Sequence, residues 1–268
     1  MTPVALTIAG SDPSGGAGIQ ADLKTFHQFG VYGMSVVTLL TVQNTTRVSS
    51  VDPLDAAYVE QQLDAVLEDI PPQAAKTGAL GSREIIEAIA RRAAGFAFPL
   101  VVDPVMISKH GAALLADSAC DALTTQLLPH AFLVTPNLAE AAALAGIAVA
   151  DLAAMEEAAR RIAGLGAKAV LVKGGHLAAD ATDILFHEGH YERFPARRLD
   201  SRHTHGSGCT YSAAITAELA KGRPLIEAVS SAKRFITNAI AGAPGLGKGC
   251  GPVNHGVEPS GGRSRSTR

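Results

Sequence analysis

The stretch Val4–Gly18, VALTIAGSDPSGGAG, joins a short apolar run to a loop with four glycines. After this loop, apolar residues recur at the spacing of one helix face: Ile19, Leu23, Phe26 and Phe29. The pattern predicts a strand, a glycine turn and a helix in succession. Such alternation is the sequence signature of α/β proteins.

The same alternation continues along the chain. Short runs rich in valine, isoleucine, leucine and alanine predict strands over residues 35–42, 74–77, 100–102, 132–134 and 170–172. Helical periodicity predicts helices over residues 59–70, 85–89, 155–162, 211–221 and 225–240. Residues 182–186 and 191–194 predict a hairpin around Glu188-Gly189, and Ser82 is a candidate N-cap. We therefore expect a three-layer α/β/α fold with a mostly parallel central sheet covered on both faces.

Composition predicts a single large globular domain. The chain has 268 residues, of which 47% are hydrophobic and 18% charged, and its net charge of −2 disfavours a nucleic-acid partner. No apolar run approaches the ~18 residues of a membrane helix. Three widely spaced cysteines without a CxxC pair suit a reducing compartment, so we expect a soluble, cytoplasmic protein. We predict one domain over residues 1–255 and a disordered tail over residues 256–268.

Polar residues follow four of the predicted strands at their carboxyl ends. They are Gln43, Asp103, Asn137 and Lys173. In open α/β sheets ligands bind at this edge. Each residue alone could be an ordinary loop residue, but the four together with the glycine loops predict a binding site.

A second glycine-rich stretch, Thr204–Thr210 (THGSGCT), precedes a predicted helix. Backbone N–H groups at such a helix start bind anions, and the helix dipole adds positive potential. Cys209 lies in the first turn, where we expect a lowered thiol pKa. Two interpretations stay open from this stretch alone: an activatable thiol beside an anion site, or a glycine-rich helix entry with a buried, inert cysteine.

Three further motifs are weaker. Gly16–Ala21 matches the G-x-G-x-x-A dinucleotide fingerprint, but the second strand ends in Gln43-Asn44 without the acidic residue that holds the ribose. Gly242–Lys248 has the G-x4-G-K spacing of a phosphate-binding loop, but it follows a helix and lacks the Ser or Thr, so we regard it as coincidental. His203-x-His205 lacks a third metal ligand, which favours a structural role.

Asn137 and Glu140 are three residues apart, so they share one face of a helix that begins there. Glu140 would then suit a Mg²⁺-bound water. Asn137 could instead serve only as the N-cap of that helix.

On these residues the chain resembles the ribokinase-like superfamily, and within it the hydroxymethylpyrimidine/phosphomethylpyrimidine kinases of thiamine biosynthesis. The resemblance runs from Val4 to His255. Six stretches carry it: residues 6–26 (LTIAGSDPSGGAGIQADLKTF), 42–45 (VQNT), 102–106 (VDPVM), 135–140 (TPN-x-x-E), 173–176 (KGGH) and 205–210 (HGSGCT).

The resemblance implies an ATP- and Mg²⁺-dependent kinase, commonly a homodimer, that phosphorylates a hydroxymethylpyrimidine and then its monophosphate. It also implies roles for individual residues. The catalytic residues would be Gly206, Ser207 and Gly208 as the anion hole and Cys209 as the base. Gln43 would read the aminopyrimidine edge, in a pocket lined by Gly10, Asp22 and Val105. The nucleotide would lie among Lys173, Asn137, Asp183 and Lys233, with Glu140 and Asp103 as magnesium residues.

Two positions depart from the family pattern, and other functions remain as alternatives. Ala79 stands where the family leads us to expect methionine, and His110 where we expect serine. Losing the methionine opens the pocket wall, so pyridoxal kinase is the nearest alternative. A nicotinamide-dependent oxidoreductase is disfavoured because the acidic residue that holds the ribose is missing. A non-catalytic pyrimidine sensor is disfavoured because the base and the anion hole are both intact.

Overall fold

The computed structural model describes residues 2–106, 117–175 and 180–259 of the chain. Its strands are β1 (Val4–Ser11), β2 (Tyr32–Asn44), β3 (Arg47–Pro53), β4 (Ala74–Thr77), β5 (Leu100–Val102), β6 (Leu133–Val134), β7 (Ala169–Val172), β8 (Asp183–His187) and β9 (His190–Phe194). Its α-helices are α1 (Gly18–Gln28), α2 (Ala56–Asp69), α3 (Arg83–Ala93), α4 (Asp117–Ala122), α5 (Leu138–Ala145), α6 (Leu152–Ala163), α7 (Ser207–Ala220) and α8 (Leu225–Ala241).

Within these residues the strands form one sheet in the order β3-β2-β1-β4-β5-β6-β7-β8-β9. Neighbouring strands from β2 to β7 run parallel, whereas β3, β8 and β9 join antiparallel at the two edges. The sheet is therefore mostly parallel, as predicted. Its parallel strands end on one common edge.

Successive strand residues point to opposite faces and fill two separate cores. Leu6 and Ile8 of β1 lie in the core beneath α2, α3, α5 and α6. Ala5 of the same strand and Val101 of β5 lie in the core beneath α1, α7 and α8. Helices thus cover both faces, which confirms the three-layer α/β/α prediction. No helix described here combines the length and the apolar character that a bilayer span requires.

Most elements lie where the sequence predicts them. Ser82 caps α3 by accepting from the Ile85 N–H, and Glu188-Gly189 turns the hairpin between β8 and β9. The sequence interpretation missed β3, whose polar, half-exposed residues give no apolar run. Val257, at the start of the predicted tail, packs against the second core and accepts from the Gln28 side chain at 3.0 Å. Residues 260–268 lie outside the described part of the chain, as does His110, so the tail stays a prediction there.

Candidate active site

A cavity of about 830 Å³ opens along the carboxyl edge of the sheet. On the β1–β2 side its wall includes Gly10, Leu39, Thr41, Gln43, Ala79 and Val105. In its centre lie Asp103, Asn137, Glu140, Lys173 and Gly206–Cys209. On the β8 side it is lined by Asp183, Arg197, Leu199, Tyr211, Lys233 and Ile236. The strand-end residues that the sequence analysis singled out therefore do meet in one cavity.

Gln43 lies near the end of β2, and both Gln43 and Gly10 of β1 line the cavity. Its carboxamide nitrogen donates to the Thr41 hydroxyl at 2.9 Å, which fixes the side chain against the cavity wall. Val105 and Ala79 line the same cavity. This side of the cavity combines the Gln43 amide and the Thr41 hydroxyl with apolar residues, a composition that suits a flat heteroaromatic ring.

Asp22 is not part of the cavity wall, contrary to the prediction. It is fully buried on the inner face of α1, where its Oδ2 accepts from the Thr7 hydroxyl at 2.6 Å. The same oxygen pairs with the Lys76 ammonium at 2.8 Å. Burial works against the charge on Lys76, but the carboxylates of Asp22 and Asp103 raise its pKa, so the ammonium form is retained. Asp22 thus forms a buried ion pair beneath the site.

The second glycine loop, residues 204–208, starts α7 without a side-chain cap. Gly206 holds a φ of 74°, and a Cβ there would overlap the carbonyl oxygen of Gly16 in the first glycine loop, residues 12–18. Only glycine fits this position. Gly208 and Cys209 line the cavity in the first turn of α7, where backbone N–H groups have no partner in a preceding turn. This is the geometry of an anion site.

The predicted lowering of the Cys209 pKa is wrong. Burial raises the pKa of the Cys209 thiol to about 12, and the carboxylates of Asp22 and Asp103 act in the same direction. The Lys76 ammonium and the backbone N–H of Gly18 lower it, but they do not compensate. Loss of hydration outweighs the favourable contributions of Lys76 and Gly18, so the thiol is protonated at neutral pH.

The Lys173 ammonium lies beside the second glycine loop. It pairs with Asp103 at 3.0 Å, and a Cβ on Gly208 would stand 3.4 Å from its Nζ. Burial alone would raise the pKa of Asp103, but Lys173 and Lys76 hold it below its usual range. Asp103 also accepts from the hydroxyl of Ser212 on α7, at 3.2 Å. A cation is thus held beside the anion site at the start of α7.

Asn137 and Glu140 form a capping box at the start of α5. The Asn137 side chain accepts from the Glu140 N–H at 3.0 Å, and the Glu140 carboxylate accepts from the Asn137 N–H at 2.8 Å. The N-cap interpretation of Asn137 is therefore confirmed, while both residues still line the cavity. Burial raises the pKa of Glu140 to about 7, with Lys173 opposing and Asp103 adding to the rise.

On the β8 side, Asp183 and Lys233 bind each other at 2.7 Å. Asp183 also accepts from the Tyr211 hydroxyl at 2.9 Å and from the Gly174 N–H at 2.8 Å, and Lys233 donates to the Ala181 carbonyl. Both predicted nucleotide residues belong to the cavity wall, where their opposite charges form an ion pair.

No cluster of three or more His, Cys, Asp or Glu side chains arranged as a metal site occurs in the described residues. His205 is buried and contacts Asp12, and His203 accepts from the Gly251 N–H, so both histidines have the structural surroundings that the sequence favoured. Asp103 and Glu140 offer the oxygen atoms that Mg²⁺ prefers, beside the ammonium of Lys173. Such a pair of carboxylates fits a hydrated cation that arrives with a phosphate ligand.

Three features define a small-molecule kinase of ribokinase-like architecture. They are the mostly parallel sheet, the anion site at the start of α7, and the one cavity that joins this site to the β1–β2 and β8 sides. The sequence profile of the phosphomethylpyrimidine kinase family matches residues 12–254. The chain belongs to this family, which confirms the resemblance and excludes the oxidoreductase alternative.

The relatives and solved structures that are similar to this chain are also small-molecule kinases. The chain is 53% identical to the hydroxymethylpyrimidine/phosphomethylpyrimidine kinase of Rhizobium meliloti, over 95% of this chain and 97% of the relative. It superposes on the ADP complex of Bacillus subtilis pyridoxal kinase with a TM-score of 0.89 and 42% identity, covering 95% and 98% of the two chains. With the phosphomethylpyrimidine kinase of Clostridium difficile 630 the TM-score is 0.80 and the identity 45%, covering 89% and 100%.

Proposed function

We propose that the protein transfers the γ-phosphoryl group of ATP to 4-amino-5-hydroxymethyl-2-methylpyrimidine and then phosphorylates the monophosphate to the diphosphate, in thiamine biosynthesis. One observation carries the proposal: a single cavity holds a ring-sized, amide-bearing side around Gln43 and an anion site at the start of α7. The relative that is 53% identical bears the names of both activities. We further propose that the protein is cytoplasmic and forms a homodimer, and light scattering can test the dimer.

Positioning and charge neutralisation supply most of the catalysis in phosphoryl transfer. The N–H groups of Gly208 and Cys209 bind oxygens of the moving group, and Lys173 adds a positive charge beside them. Asp103 and Glu140 would hold Mg²⁺ through its water ligands, and the cation would neutralise charge on the phosphate oxygens. Asn137 holds the Glu140 carboxylate in place through the capping box.

The Gln43 carboxamide offers a donor and an acceptor side by side, which matches a ring nitrogen next to an exocyclic amine. Gly10 and Val105 leave room for the ring. Lys233 and Asp183 form the wall of the nucleotide side, and Tyr211 supports them.

Cys209 is the proton acceptor in this proposal. Its thiol is protonated at neutral pH, so only a small thiolate fraction accepts the hydroxyl proton directly. A largely dissociative transition state lowers this demand because the attacking hydroxyl keeps its proton until late in the transfer. The anion site and Lys173 therefore carry most of the rate enhancement, and Cys209 completes the step.

Steady-state kinetics with Mg-ATP test the proposal against the pyrimidine, its monophosphate and pyridoxal. We expect Gln43→Leu to raise the KM for the pyrimidine by about tenfold, the effect of roughly 1.4 kcal/mol of lost hydrogen bonding, and the KM for ATP by less than about twofold. Val42→Ala is the matched control, since Val42 is the next residue on β2 and is exposed. Equal rises in both KM values would argue against ring recognition by Gln43, and no ADP release with either pyrimidine would refute the function.

Phosphorylation of pyridoxal is a second candidate activity. Ala79 replaces a larger side chain of the family pattern in the cavity wall, and a pyridoxal kinase is among the similar structures. In the same assay, a kcat/KM for pyridoxal above that for the pyrimidine would reverse the order of the two candidates.

A further inference from the structure

The Asp12 carboxylate is the centre of the first glycine loop. It is 1% exposed, and its Oδ1 accepts from both the N–H and the hydroxyl of Ser14. Its Oδ2 accepts from the N–H groups of Gly16 at 3.1 Å and Ala17 at 2.8 Å. One buried side chain therefore sets the path of the loop into α1.

The same Oδ2 also accepts a hydrogen bond from outside the loop, which is the fifth that the carboxylate accepts. His205, in the second glycine loop, reaches Asp12 through its Nε2 at 2.8 Å and is 4% exposed. Since a carboxylate only accepts, this ring nitrogen is the donor. The His205 backbone is held as well, because its N–H donates to the Gly251 carbonyl and its carbonyl accepts from the Val253 N–H.

The two glycine loops also touch directly at Gly206 and Gly16, where no Cβ fits. The first loop ends at Gly18, which lines the cavity and whose N–H lowers the pKa of the Cys209 thiol. The second loop continues into the anion site. A shift of one loop against the other would therefore displace the substrate side of the cavity relative to the phosphoryl side.

We propose that Asp12 and His205 are positioning residues, whose buried contact holds the two glycine loops at the separation that phosphoryl transfer requires. The inference rests on the proposed function for its chemistry, but the contact between the loops does not depend on the substrate. Both residues line the cavity, and we assign their effect to the placement of Gly18 and of the anion site. Small errors in such placement are costly, with about 10²-fold lost for a displacement near 1 Å.

The test compares His205→Leu with His205→Gln, whose side-chain amide keeps a donor for Asp12. We expect His205→Leu to lower kcat by about 10²-fold while the KM for ATP changes by less than about threefold, and His205→Gln to recover most of the loss. Ser231→Ala is the matched control. It removes a buried hydrogen bond of 2.7 Å to Glu218, at the far end of the same helix α7.

Amide hydrogen exchange on the same variants measures the contact without any substrate. We expect faster exchange in peptides covering residues 12–18 and 204–210 of His205→Leu, and not in Ser231→Ala. Unchanged exchange in the first loop overturns the proposal, and so does a kcat loss no larger than that of Ser231→Ala. If the wild type turned over neither pyrimidine, the proposed function would fail, while exchange would still decide whether His205 ties the loops.

Discussion

The two glycine loops begin two helices that pack on the same face of the sheet, and they use similar backbone chemistry for different ends. In the first loop, N–H groups bind the protein's own Asp12 carboxylate. In the second, the start of α7 has glycine at the N-cap and no capping side chain. The comparison shows that a glycine loop is a structural support when its N–H groups bind a carboxylate of the protein itself. A glycine loop without such a carboxylate can bind an external anion.

Gly206→Ala should break this comparison with the largest effect. A Cβ at Gly206 would overlap the carbonyl oxygen of Gly16 and force the loops apart, so we expect kcat to fall by more than about 10³-fold. Gly222→Ala is the matched control, because Gly222 follows the same helix with a φ of 78° and nothing within 4 Å. Steady-state ADP release measures both. Similar losses in the two variants would show that backbone strain, not the contact between the loops, matters.

Cys209→Ala tests the role of the first turn of α7, which follows the second glycine loop. We expect kcat to fall by about 10²- to 10³-fold, in the lower part of the range for a positioned base, because the thiol is mostly protonated at neutral pH. Nucleotide affinity, measured by calorimetry, should stay within about threefold. Cys250→Ala, which removes a thiol outside the cavity, is the control. Near-normal turnover of Cys209→Ala would exclude Cys209 as the proton acceptor.

The pH dependence gives the sign of the Cys209 effect. The thiolate is the active form, and the pKa of Cys209 is raised to about 12, so its fraction grows about tenfold per pH unit below that value. Since kcat/KM reports the free enzyme, and Glu140 has a pKa of about 7, the informative range lies above about pH 8. We expect kcat/KM to rise from about pH 8 to about pH 9.5 in the wild type and to stay flat over that range in Cys209→Ala. A wild-type profile that is level above about pH 8 would contradict this.

Ser14→Ala should have the smallest effect. It removes one of the five hydrogen bonds to Asp12 and leaves the others, so we expect about 0.5–1.5 kcal/mol of lost unfolding free energy and less than about a twofold change in kcat. Urea denaturation gives the first value and ADP release the second. Thr46→Ala, which removes a similar hydroxyl contact to Asn44 in the β2–β3 turn, is the control. A tenfold loss of kcat in Ser14→Ala would mean that the first loop takes a direct part in catalysis.

The sequence predicted the sheet and its ligand edge because both depend on local patterns. Apolar runs mark the strands, and Asp103, Asn137 and Lys173 follow them directly, so their meeting in one cavity needs only parallel strands. The prediction that Asp22 lines the pocket is wrong because its position depends on contacts between distant parts of the chain. Its spacing from Ile19 and Phe26 places Asp22 on the apolar face of α1, but its partner Lys76 is 54 residues away and has no local signal.

The predicted lowering of the Cys209 pKa is wrong because burial is a property of the folded chain and not of the local sequence. Its helix position is visible in the sequence, but the dehydration that raises the pKa comes from surrounding elements. The contact between His205 and Asp12 spans 193 residues and has no local signal either. A buried structural role for His205 was foreseen only in general terms.

The segment of residues 249–257 has a consequence for the order in which the protein is made. Gly249 donates to Thr45, and Gly251 and Val253 bind the backbone of His205. The contact with Thr45 joins positions 204 residues apart. A ribosome-bound chain that still lacks this segment therefore cannot complete the site, although its sheet strands have already emerged. These contacts can form only after the segment has left the ribosome, because they join parts of the folded chain that are far apart in sequence.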